Sequence, residues 1–216
     1  MTQNQHKISD LRISYTKAEL NIKETDPCPI KQFERWLNEA IEAKTTEATA
    51  MSLATVNEKG QPSVRTVLLK DFSSEGFVFY TNYESRKASE IDYNPNVGIC
   101  FLWKELERQV TITGAASKIS KEKSEKYFKS RPTGHQISAW ASTQSSKVPN
   151  RGWMIAREKE LSNRFSDGIV PYPEFWGGFQ ISPTEIEFWQ GRENRFHDRI
   201  LYRLEKSNWS RSRLSP

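Results

Sequence analysis

Apolar residues recur at the spacing of an α-helix in the segment that follows Pro29. Phe33, Leu37 and Ile41 lie one turn apart there, and the DPCP sequence before them interrupts any earlier element. An amphipathic helix that begins near Pro29 is therefore predicted. Three further helices are predicted over RKASEIDY, over SKEKSEKYFKSR as far as Pro132, and over RGWMIAREKELSNRF, whose apolar stripe is Met154, Leu161 and Phe165.

Short runs of β-branched and aromatic residues alternate with turn residues from Ala50 onward. Clusters of Gly, Pro, Asn, Asp and Ser, such as DFSSEG, separate the runs, a pattern typical of an antiparallel meander. The predicted strands are AMSLATV, SVRTVLLK, FVFYTN, VGICFLW and ERQVTITGAASK, then a returning pair in PYPEFWGGFQIS and TEIEFWQGR, and a last strand around ILYRLE. Strands at this spacing favour a barrel or sandwich, so we expect a mainly β fold with flanking helices.

Residues 1–25 are charged and lack a sustained period, so we expect an arm that becomes ordered only against something else. Residues 26–216 are expected to form a single domain, since a chain of 216 residues can bury roughly 70% of its unfolded surface without disulfides. Two cysteines, Cys28 and Cys100, are typical of a reducing compartment. The sequence has neither an export signal nor an apolar run of roughly 20 residues, and we expect a cytoplasmic protein.

The chain carries 32 Lys and Arg against 27 Asp and Glu, a formal net charge of +5. Nucleic acid, an acidic membrane surface and small anionic ligands are all compatible with such an excess. Six Arg and one Lys stand against three acidic residues in the last 27 positions, so most of the excess lies there. Because acids are interleaved with the cations, small anions are favoured over a long polyanion. No GxGxxG, GxxxxGK[ST], CxxC, HExxH or GxSxG motif occurs, and no metal site is expected.

Arg86 and Lys87 follow Ser85, a good N-cap residue, at the start of a predicted helix. Cations at this end oppose the helix dipole, so folding alone does not recommend them. A phosphate bound at the helix N-terminus explains the pair, and two solvated charges on a surface turn explain it equally well.

Two more pairs of residues have both a functional and an ordinary explanation. Arg65 and Lys70 differ in parity along SVRTVLLK, so a regular strand directs them to opposite faces. Two anions, one anion and a bulge, or two exposed strand ends are the alternatives. Tyr127 and Arg131 stand four apart and share a helix face, where they could hold a phosphate or be a packed Tyr beside a surface Arg.

The segment EFWQGRENRFHDR has the densest set of candidate residues. If residues 195–199 are extended, Arg195, His197 and Arg199 line one face, and their charges repel one another unless an anion joins them. A histidine between two arginines has its charged form disfavoured, which suits a neutral hydrogen-bonding role for His197.

These segments together resemble the pyridoxamine 5′-phosphate oxidase family of FMN enzymes. EFWQGRENRFHDR is similar to the C-terminal signature of that family, and RTVLLK, FYTNYESRKA, LERQV, YFKSRP, the QSS loop at 144–146 and FWGGF match its other blocks in order. The similarity extends from about Leu11 to the terminal RLSP. It implies an antiparallel FMN-binding split β-barrel that forms a homodimer, with FMN at the subunit interface and the N-terminal arm as a partial lid.

The resemblance also implies a set of site residues. Those implied for the cofactor are Arg65, Thr66, Val67, Leu68, Leu69, Lys70, Tyr80, Thr81, Arg86, Lys87, Gln109, Gln144, Ser145, Trp189 and Arg199. Those implied for the substrate are Arg12 and Tyr15 from the arm, Lys70, Tyr127 and Arg131 at the phosphate, His135 in a loop where the family often has Ser, and Arg195 and His197 at the pyridine ring. Arg195 and His197 are also the expected catalytic residues.

The implied reaction converts pyridoxamine 5′-phosphate and pyridoxine 5′-phosphate to pyridoxal 5′-phosphate, in vitamin B6 biosynthesis or salvage. Two electrons leave the C4′ carbon for the flavin, and O2 then reoxidises the flavin and gives H2O2. Three alternatives remain. A flavin reductase of the same fold would keep the FMN residues without needing those of the substrate site, a carrier of pyridoxal phosphate would need no flavin, and a nucleic-acid module would need a basic stripe with stacking aromatics.

Overall fold

A computed structural model describes residues 13–216 of the chain. The helices in this range are α1 (Pro29–Glu42), α2 (Arg86–Tyr93), α3 (Lys121–Ser130), α4 (Thr133–Ala141) and α5 (Arg151–Arg164). The strands are β1 (Ala50–Val56), β2 (Pro62–Leu68), β3 (Asp71–Ser73), β4 (Gly76–Asn82), β5 (Asn96–Trp103), β6 (Arg108–Lys118), β7 (Trp176–Gln190), β8 (Asp198–Glu205) and β9 (Asn208–Leu214). This confirms a mainly β fold with flanking helices.

The four predicted helices are confirmed as α1, α2, α3 and α5. Helix α1 begins at Pro29, where the missing N–H of proline costs nothing because the first N–H groups of a helix have no partner within it. Its buried face includes Phe33, Trp36 and Leu37. The apolar periodicity therefore predicts both the position of this helix and the side that packs.

Two expectations about the helical region are wrong. The segment around His135 is not a loop, because residues 133–141 form α4. Gly134 and Ser138 are weak helix formers, and this helix gains stability by burying Ile137, which propensity does not foresee. On α5 the apolar stripe does not include Met154, which is 51% exposed, whereas Leu161 is buried.

The strands differ from the prediction at three places. DFSSEG contains the short strand β3, which pairs with β4. The expected returning pair is one strand, β7, in which the alternation of buried and exposed residues continues through the buried Pro183. Strand β9 follows the expected last strand and pairs only with β8. Its mostly polar sequence is that of an edge strand, and it carries little hydrophobic signal.

The described chain divides into two compact units. The central unit comprises Thr49–Cys100 and Ile112–Thr184, and the terminal unit comprises residues 13–48, 101–111 and 185–216. Strands of the central unit follow the order β2-β1-β5-β6-β7-β4-β3. In the terminal unit the last part of β7 pairs antiparallel with β8, and β8 pairs antiparallel with β9. A single domain from residue 26 onward stays a prediction.

Each unit has its own aromatic core. One core cluster of the central unit combines α3, α4 and α5 with the start of β7 and contains Phe128, Ile137, Leu161, Phe165, Val170 and Trp176. In the terminal unit the ring of Phe188 lies 5.2 Å from that of Trp36 and 5.4 Å from that of Tyr202. Neither Cys28 nor Cys100 forms a disulfide. Among residues 13–216, every helix is too short or too polar to cross a bilayer.

Candidate functional site

The central unit contains a cavity of about 680 Å³. Most of the residues expected at the cofactor line it: Arg65, Thr66, Val67, Leu68, Lys70, Tyr80, Thr81, Arg86, Lys87, Gln144 and Ser145. Tyr127 and Arg131, both expected at the substrate phosphate, line the same cavity. Leu69 is buried and is not part of the lining. Five further polar or aromatic residues line the cavity that were not expected there from the sequence: Ser63, Asn82, Ser138, Ser142 and Trp176.

Lys87 is the most buried cation of this cavity, with 8% of the residue exposed. Its Nζ donates to Gln144 Oε1 at 2.8 Å, to Thr81 Oγ1 at 3.1 Å and to Ser85 Oγ at 3.2 Å. Burial, with a smaller contribution from the nearby Arg65, lowers the pKa of Lys87 to about 8. The N-cap residue Ser85 thus accepts from a lysine instead of capping the helix with its side chain.

The start of α2 is also tied to the loop that follows α4. The backbone N–H of Arg86 donates to Ser145 Oγ at 3.2 Å. Ser145 has a left-handed backbone, with φ of 73°, which costs energy in a residue that is not glycine. Cations, hydroxyls and a helix N-terminus therefore meet at one end of the cavity, an arrangement that can bind a phosphate.

Arg65 is held from strand β1 and from its own strand β2. Its Nη1 donates to Leu53 O at 3.1 Å and to Thr55 Oγ1 at 2.6 Å. Its Nη2 donates to the Ser63 hydroxyl and, at 3.1 Å, to Glu90 Oε2. Glu90 is 5% exposed and also accepts from Arg86, and it is not among the site residues expected from the sequence. The spacing of four between Arg86 and Glu90 on a helix was the available signal.

Arg65 and Lys70 do not lie on one regular strand, because β2 ends at Leu68. Lys70 stands beyond the strand, where its backbone N–H donates to Val78 O at 2.9 Å. Both Arg65 and Lys70 line the same cavity. A single ligand can therefore contact both cations without a bulge in the strand.

An aromatic stack forms another wall of the cavity. The rings of Tyr80 and Tyr127 lie 3.9 Å apart and nearly parallel, and Trp176 stacks on Tyr80 at 5.3 Å. Burial and the neighbouring Tyr127 raise the pKa of Tyr80 to about 12, so both phenols stay neutral donors at ordinary pH.

Arg131 follows the last residue of α3 and has an extended backbone, so it is not on the helix that the sequence predicts for it. Its guanidinium lies 4.7 Å from the centre of the Trp176 ring. The Nη1 atom is buried and has no hydrogen-bond partner among the described residues, and burial lowers the pKa of the group. An unpaired buried guanidinium nitrogen beside a cavity indicates a missing anionic partner.

Not every predicted substrate residue lines this cavity. His135 lies in the first turn of α4, is exposed, and is absent from the lining. Arg12 lies outside the described residues.

In the terminal unit, Tyr15, Trp189 and His197 form a second cluster of predicted site residues. The ring of His197 lies 4.6 Å from Trp189 and 5.8 Å from Tyr15. His197 Nδ1 accepts the backbone N–H of Arg192 at 3.1 Å. Burial and the nearby Arg195 lower the pKa of His197, as its neighbours in the sequence predict. The neutral ring then carries its proton on Nε2, which leaves that atom as a donor.

Residues 195–199 do not form one extended segment, so the condition for Arg195, His197 and Arg199 to line one face is not met. Residues 193–195 form a 3₁₀ turn, and β8 begins only at Asp198. Asn194 and Arg195 have φ of 53° and 62°, so two successive residues are left-handed. Hydrophobic periodicity carries no information about such a turn. The side chain of Arg195 is exposed beside it.

The remaining cofactor candidates also belong to the terminal unit. Trp189 on β7 stands opposite Arg199 on β8. Two nitrogens of Arg199 donate to Glu187 at 2.8 and 2.9 Å, and these bonds raise the pKa of Arg199. Gln109 Nε2 donates to Thr111 Oγ1 at 3.3 Å.

The described part of the arm is held by the terminal unit. Leu20 is buried, its N–H donates to Asp198 Oδ2 at 3.1 Å, and its carbonyl accepts from Arg213 at 2.9 Å. The N–H of Lys17 donates to Glu107 Oε2 at 3.0 Å. Tyr15 is thereby anchored beside Trp189 and His197.

Comparison with known proteins decides the family. Residues 37–164 match the family described as "Pyridoxamine 5'-phosphate oxidase", and residues 176–216 match the "Pyridoxine 5'-phosphate oxidase C-terminal dimerisation region". The chain belongs to the pyridoxamine 5′-phosphate oxidase family. This member is an oxidoreductase of that family, and the dimerisation region supports assembly as a homodimer.

Curated relatives named pyridoxine/pyridoxamine 5′-phosphate oxidase match this chain over almost its whole length. The protein of Aliarcobacter butzleri (strain RM4018) is 53% identical over 97% of this chain and 99% of its own length. That of Rubrobacter xylanophilus (strain DSM 9941 / JCM 11954 / NBRC 16129 / PRD-1) is 52% identical over 97% of this chain and 96% of its own length.

Solved structures agree on the split-barrel fold of the family. PhzG from Burkholderia lata 383, in complex with tetrahydrophenazine-1-carboxylic acid, superposes with a TM-score of 0.86 at 26% identity, over 93% of this chain and 100% of that one. A pyridoxamine 5′-phosphate oxidase-related, FMN binding protein from Nostoc punctiforme PCC 73102 has a TM-score of 0.69 at 17% identity, over 85% and 97% of the two chains.

Proposed function

We propose that this protein oxidises pyridoxamine 5′-phosphate and pyridoxine 5′-phosphate to pyridoxal 5′-phosphate, with FMN as cofactor and with O2 as the acceptor that becomes H2O2. One observation carries the proposal. A single cavity combines a cationic end built on the start of α2 with a second cationic wall, where Arg131 holds a buried nitrogen without a partner. Two phosphorylated ligands that meet in one cavity account for both.

The residues present fit FMN. The cavity volume of about 680 Å³ lies within the usual range for small-ligand sites, roughly 300–1,000 Å³. Lys87, Arg86 and the Ser145 hydroxyl would hold the phosphate directly, with the charge of Arg65 beside them. Thr66 to Leu68 on β2 would face the rest of the molecule. When bound, FMN would supply the two-electron redox chemistry.

We assign the substrate phosphate to Lys70, Tyr127 and Arg131. The neutral Tyr127 donates without adding charge, and the guanidinium of Arg131 supplies donors in a planar fork that matches a phosphate. Binding energy at this phosphate, remote from the carbon that is oxidised, serves to align that carbon.

Arg195 and His197 are the proposed catalytic residues. Neutral His197 keeps its Nε2–H as a donor to the reacting end of the substrate, because its Nδ1 is occupied by the N–H of Arg192. The exposed Arg195 guanidinium would cover the pyridine ring. The proposed lid consists of Tyr15 and Arg12. The proposed further cofactor contacts are Gln109, Trp189 and Arg199, in a homodimer with FMN at its interface. Only the resemblance supports a role for Leu69 at the cofactor and for His135 at the substrate.

Product formation tests the proposal. The purified protein is supplied with FMN and either substrate under air, and pyridoxal 5′-phosphate and H2O2 are measured together. We expect equal amounts of both, and little turnover of pyridoxine or pyridoxamine without the phosphate. Flavin reduction by a nicotinamide donor without any pyridoxal 5′-phosphate would instead support a reductase. The sparse use of cysteine, two in 216 residues, supports the proposed cytoplasmic location.

A further inference from the structure

Glu90 lies at the centre of a buried hydrogen-bond network next to the cationic end of the cavity. Its Oε2 accepts from the Thr55 hydroxyl, from Ser63 Oγ at 2.5 Å and from Arg65 Nη2 at 3.1 Å, while Oε1 accepts from Arg86 Nε at 2.8 Å. One carboxylate therefore binds two arginines that both line the cavity.

The two arginines are fixed in different ways. Both terminal nitrogens of Arg65 bond to the protein, so its guanidinium is locked in place. Arg86 is 57% exposed at its side chain and is held through Nε alone, and its two terminal nitrogens have no protein partner among residues 13–216. The bond at Nε restricts the orientation of the Arg86 guanidinium and leaves its two terminal nitrogens as donors for a ligand.

A buried carboxylate beside a phosphate site has two unfavourable effects: its own charge is removed from water, and it repels the phosphate. Burial raises the pKa of Glu90, but the bonds from Ser63, Thr55, Arg86 and Arg65 together lower it to about 2, so the group is ionised at every ordinary pH. Its charge then repels a phosphate held by the same arginines. Coulomb interaction alone therefore predicts that removing Glu90 strengthens phosphate binding, whereas orientation of the arginines predicts the opposite.

We propose that Glu90 is a positioning residue that orients Arg65 and Arg86 for the phosphate of FMN and thereby makes the site select FMN over riboflavin. The inference rests on the proposed function, because it takes the phosphate of FMN to lie at these arginines. Orientation outweighs repulsion because the carboxylate contacts both guanidinium groups directly, and charge-assisted bonds of this kind are the strongest in such a network.

The test compares the dissociation constants of FMN and riboflavin, measured by flavin fluorescence on flavin-free protein. Wild type is expected to bind FMN far more tightly than riboflavin. In Glu90→Ala the FMN constant should rise about tenfold or more, with the riboflavin constant unchanged. Glu90→Gln keeps the shape of the side chain and one acceptor oxygen, so its FMN dissociation constant should lie between those of wild type and Glu90→Ala. If the alanine variant does not fold, the glutamine variant tests the positioning role in its place.

Asp92→Asn is the matched control. It removes a carboxylate from the same helix, but Asp92 is exposed and pairs with Lys118 on β6. This variant should bind both flavins as wild type does. In the double variant Glu90→Ala/Arg86→Ala the two effects on FMN should not add, because Glu90 acts through Arg86.

The possible outcomes separate the two proposals. If wild type binds both flavins equally, the phosphate does not lie at these arginines and the proposed function loses its cofactor site. If wild type selects FMN but the Glu90 variants bind FMN unchanged or more tightly, the positioning role is overturned. It is also overturned if both flavins weaken in parallel, since that result indicates a general packing defect.

Discussion

Nζ of Lys87 lies 2.8 Å from Oε1 of Gln144, although 57 positions separate the two residues in the sequence. The contact joins the first turn of α2 to the loop after α4. Because Lys87 is buried there, its charge depends on what else occupies the cavity. The protonation of this lysine and the binding of an anion are therefore linked.

The first prediction concerns the pH dependence of FMN affinity. Lys87 is charged below its pKa of about 8 and neutral above it, and a phosphate favours the charged form. The dissociation constant of FMN should therefore rise as pH increases through this value, by at most about tenfold per pH unit. Fluorescence titrations from about pH 7 to about pH 9 check this, in a range where the phosphate is already a dianion.

Lys87→Met should bind FMN weakly, with a dissociation constant that no longer changes over this pH range. Lys118→Met is the control, because Lys118 is an exposed lysine outside the cavity. A constant affinity of wild type across the range would contradict the assignment of Lys87 to the phosphate.

The second prediction concerns Arg131. Replacing it with Met removes the guanidinium with the unpaired Nη1, and kcat/KM for pyridoxine 5′-phosphate should fall by about ten- to a hundredfold, mainly through KM. FMN affinity should not change. Arg157→Met is the matched control, because Arg157 pairs with Glu160 on α5 and does not line the cavity. If Arg131→Met retains the kinetics of wild type, the substrate phosphate lies elsewhere.

The third prediction concerns the acid limb of the reaction. Since the pKa of His197 is lowered, its neutral form persists to a lower pH than that of free histidine, and activity should decline only below about pH 6.5. Protonation there breaks the bond from the Arg192 N–H. The pH profile of kcat in wild type and in His197→Asn measures this effect.

Asparagine can accept from Arg192 in place of Nδ1 but lacks the Nε2 donor and does not titrate. The variant should therefore be slow and should lose the acid limb. An unchanged acid limb in His197→Asn would assign that ionisation to another group.

The fourth prediction concerns packing in the central unit. Gly76 has φ of 137°, and a Cβ there would lie 2.0 Å from the carbonyl oxygen of Ile181 on β7. Gly76→Ala should lower the free energy of unfolding by about 3 kcal/mol, through strain and overpacking. Gly98→Ala on β5 meets nothing within 4 Å and should change it by less than about 1 kcal/mol. Urea denaturation of both variants compares them, and equal stabilities would contradict the packing at β4 and β7.

The sequence predicts the elements whose pattern is local. Pro29 and the spacing of Phe33 and Leu37 are sufficient to place α1, because a helix end and its buried face are encoded within a few residues. Helix α4 lacks such a pattern and is stabilised by packing of Ile137. The left-handed Asn194 and Arg195 likewise depend on a turn that periodicity does not describe.

The candidate site divides in the same way. Arg65 and Lys87 could be predicted as cofactor residues because they lie in segments that match the family in order. The residues that hold them in place could not be predicted in this way. Glu90 becomes important only because it meets Arg65, which stands 25 positions away on another element. The unpaired nitrogen of Arg131 is equally invisible in a sequence, since it results from burial against Trp176.

The absorbance of the purified, FMN-loaded protein under anaerobic conditions tests the central claim most directly. Addition of pyridoxine 5′-phosphate should bleach the flavin band near stoichiometrically, and admission of air should restore it with formation of pyridoxal 5′-phosphate. Pyridoxine without the phosphate should leave the band almost unchanged at the same concentration. A bound flavin that stays oxidised in the presence of both pyridoxine 5′-phosphate and pyridoxamine 5′-phosphate would contradict the proposed activity.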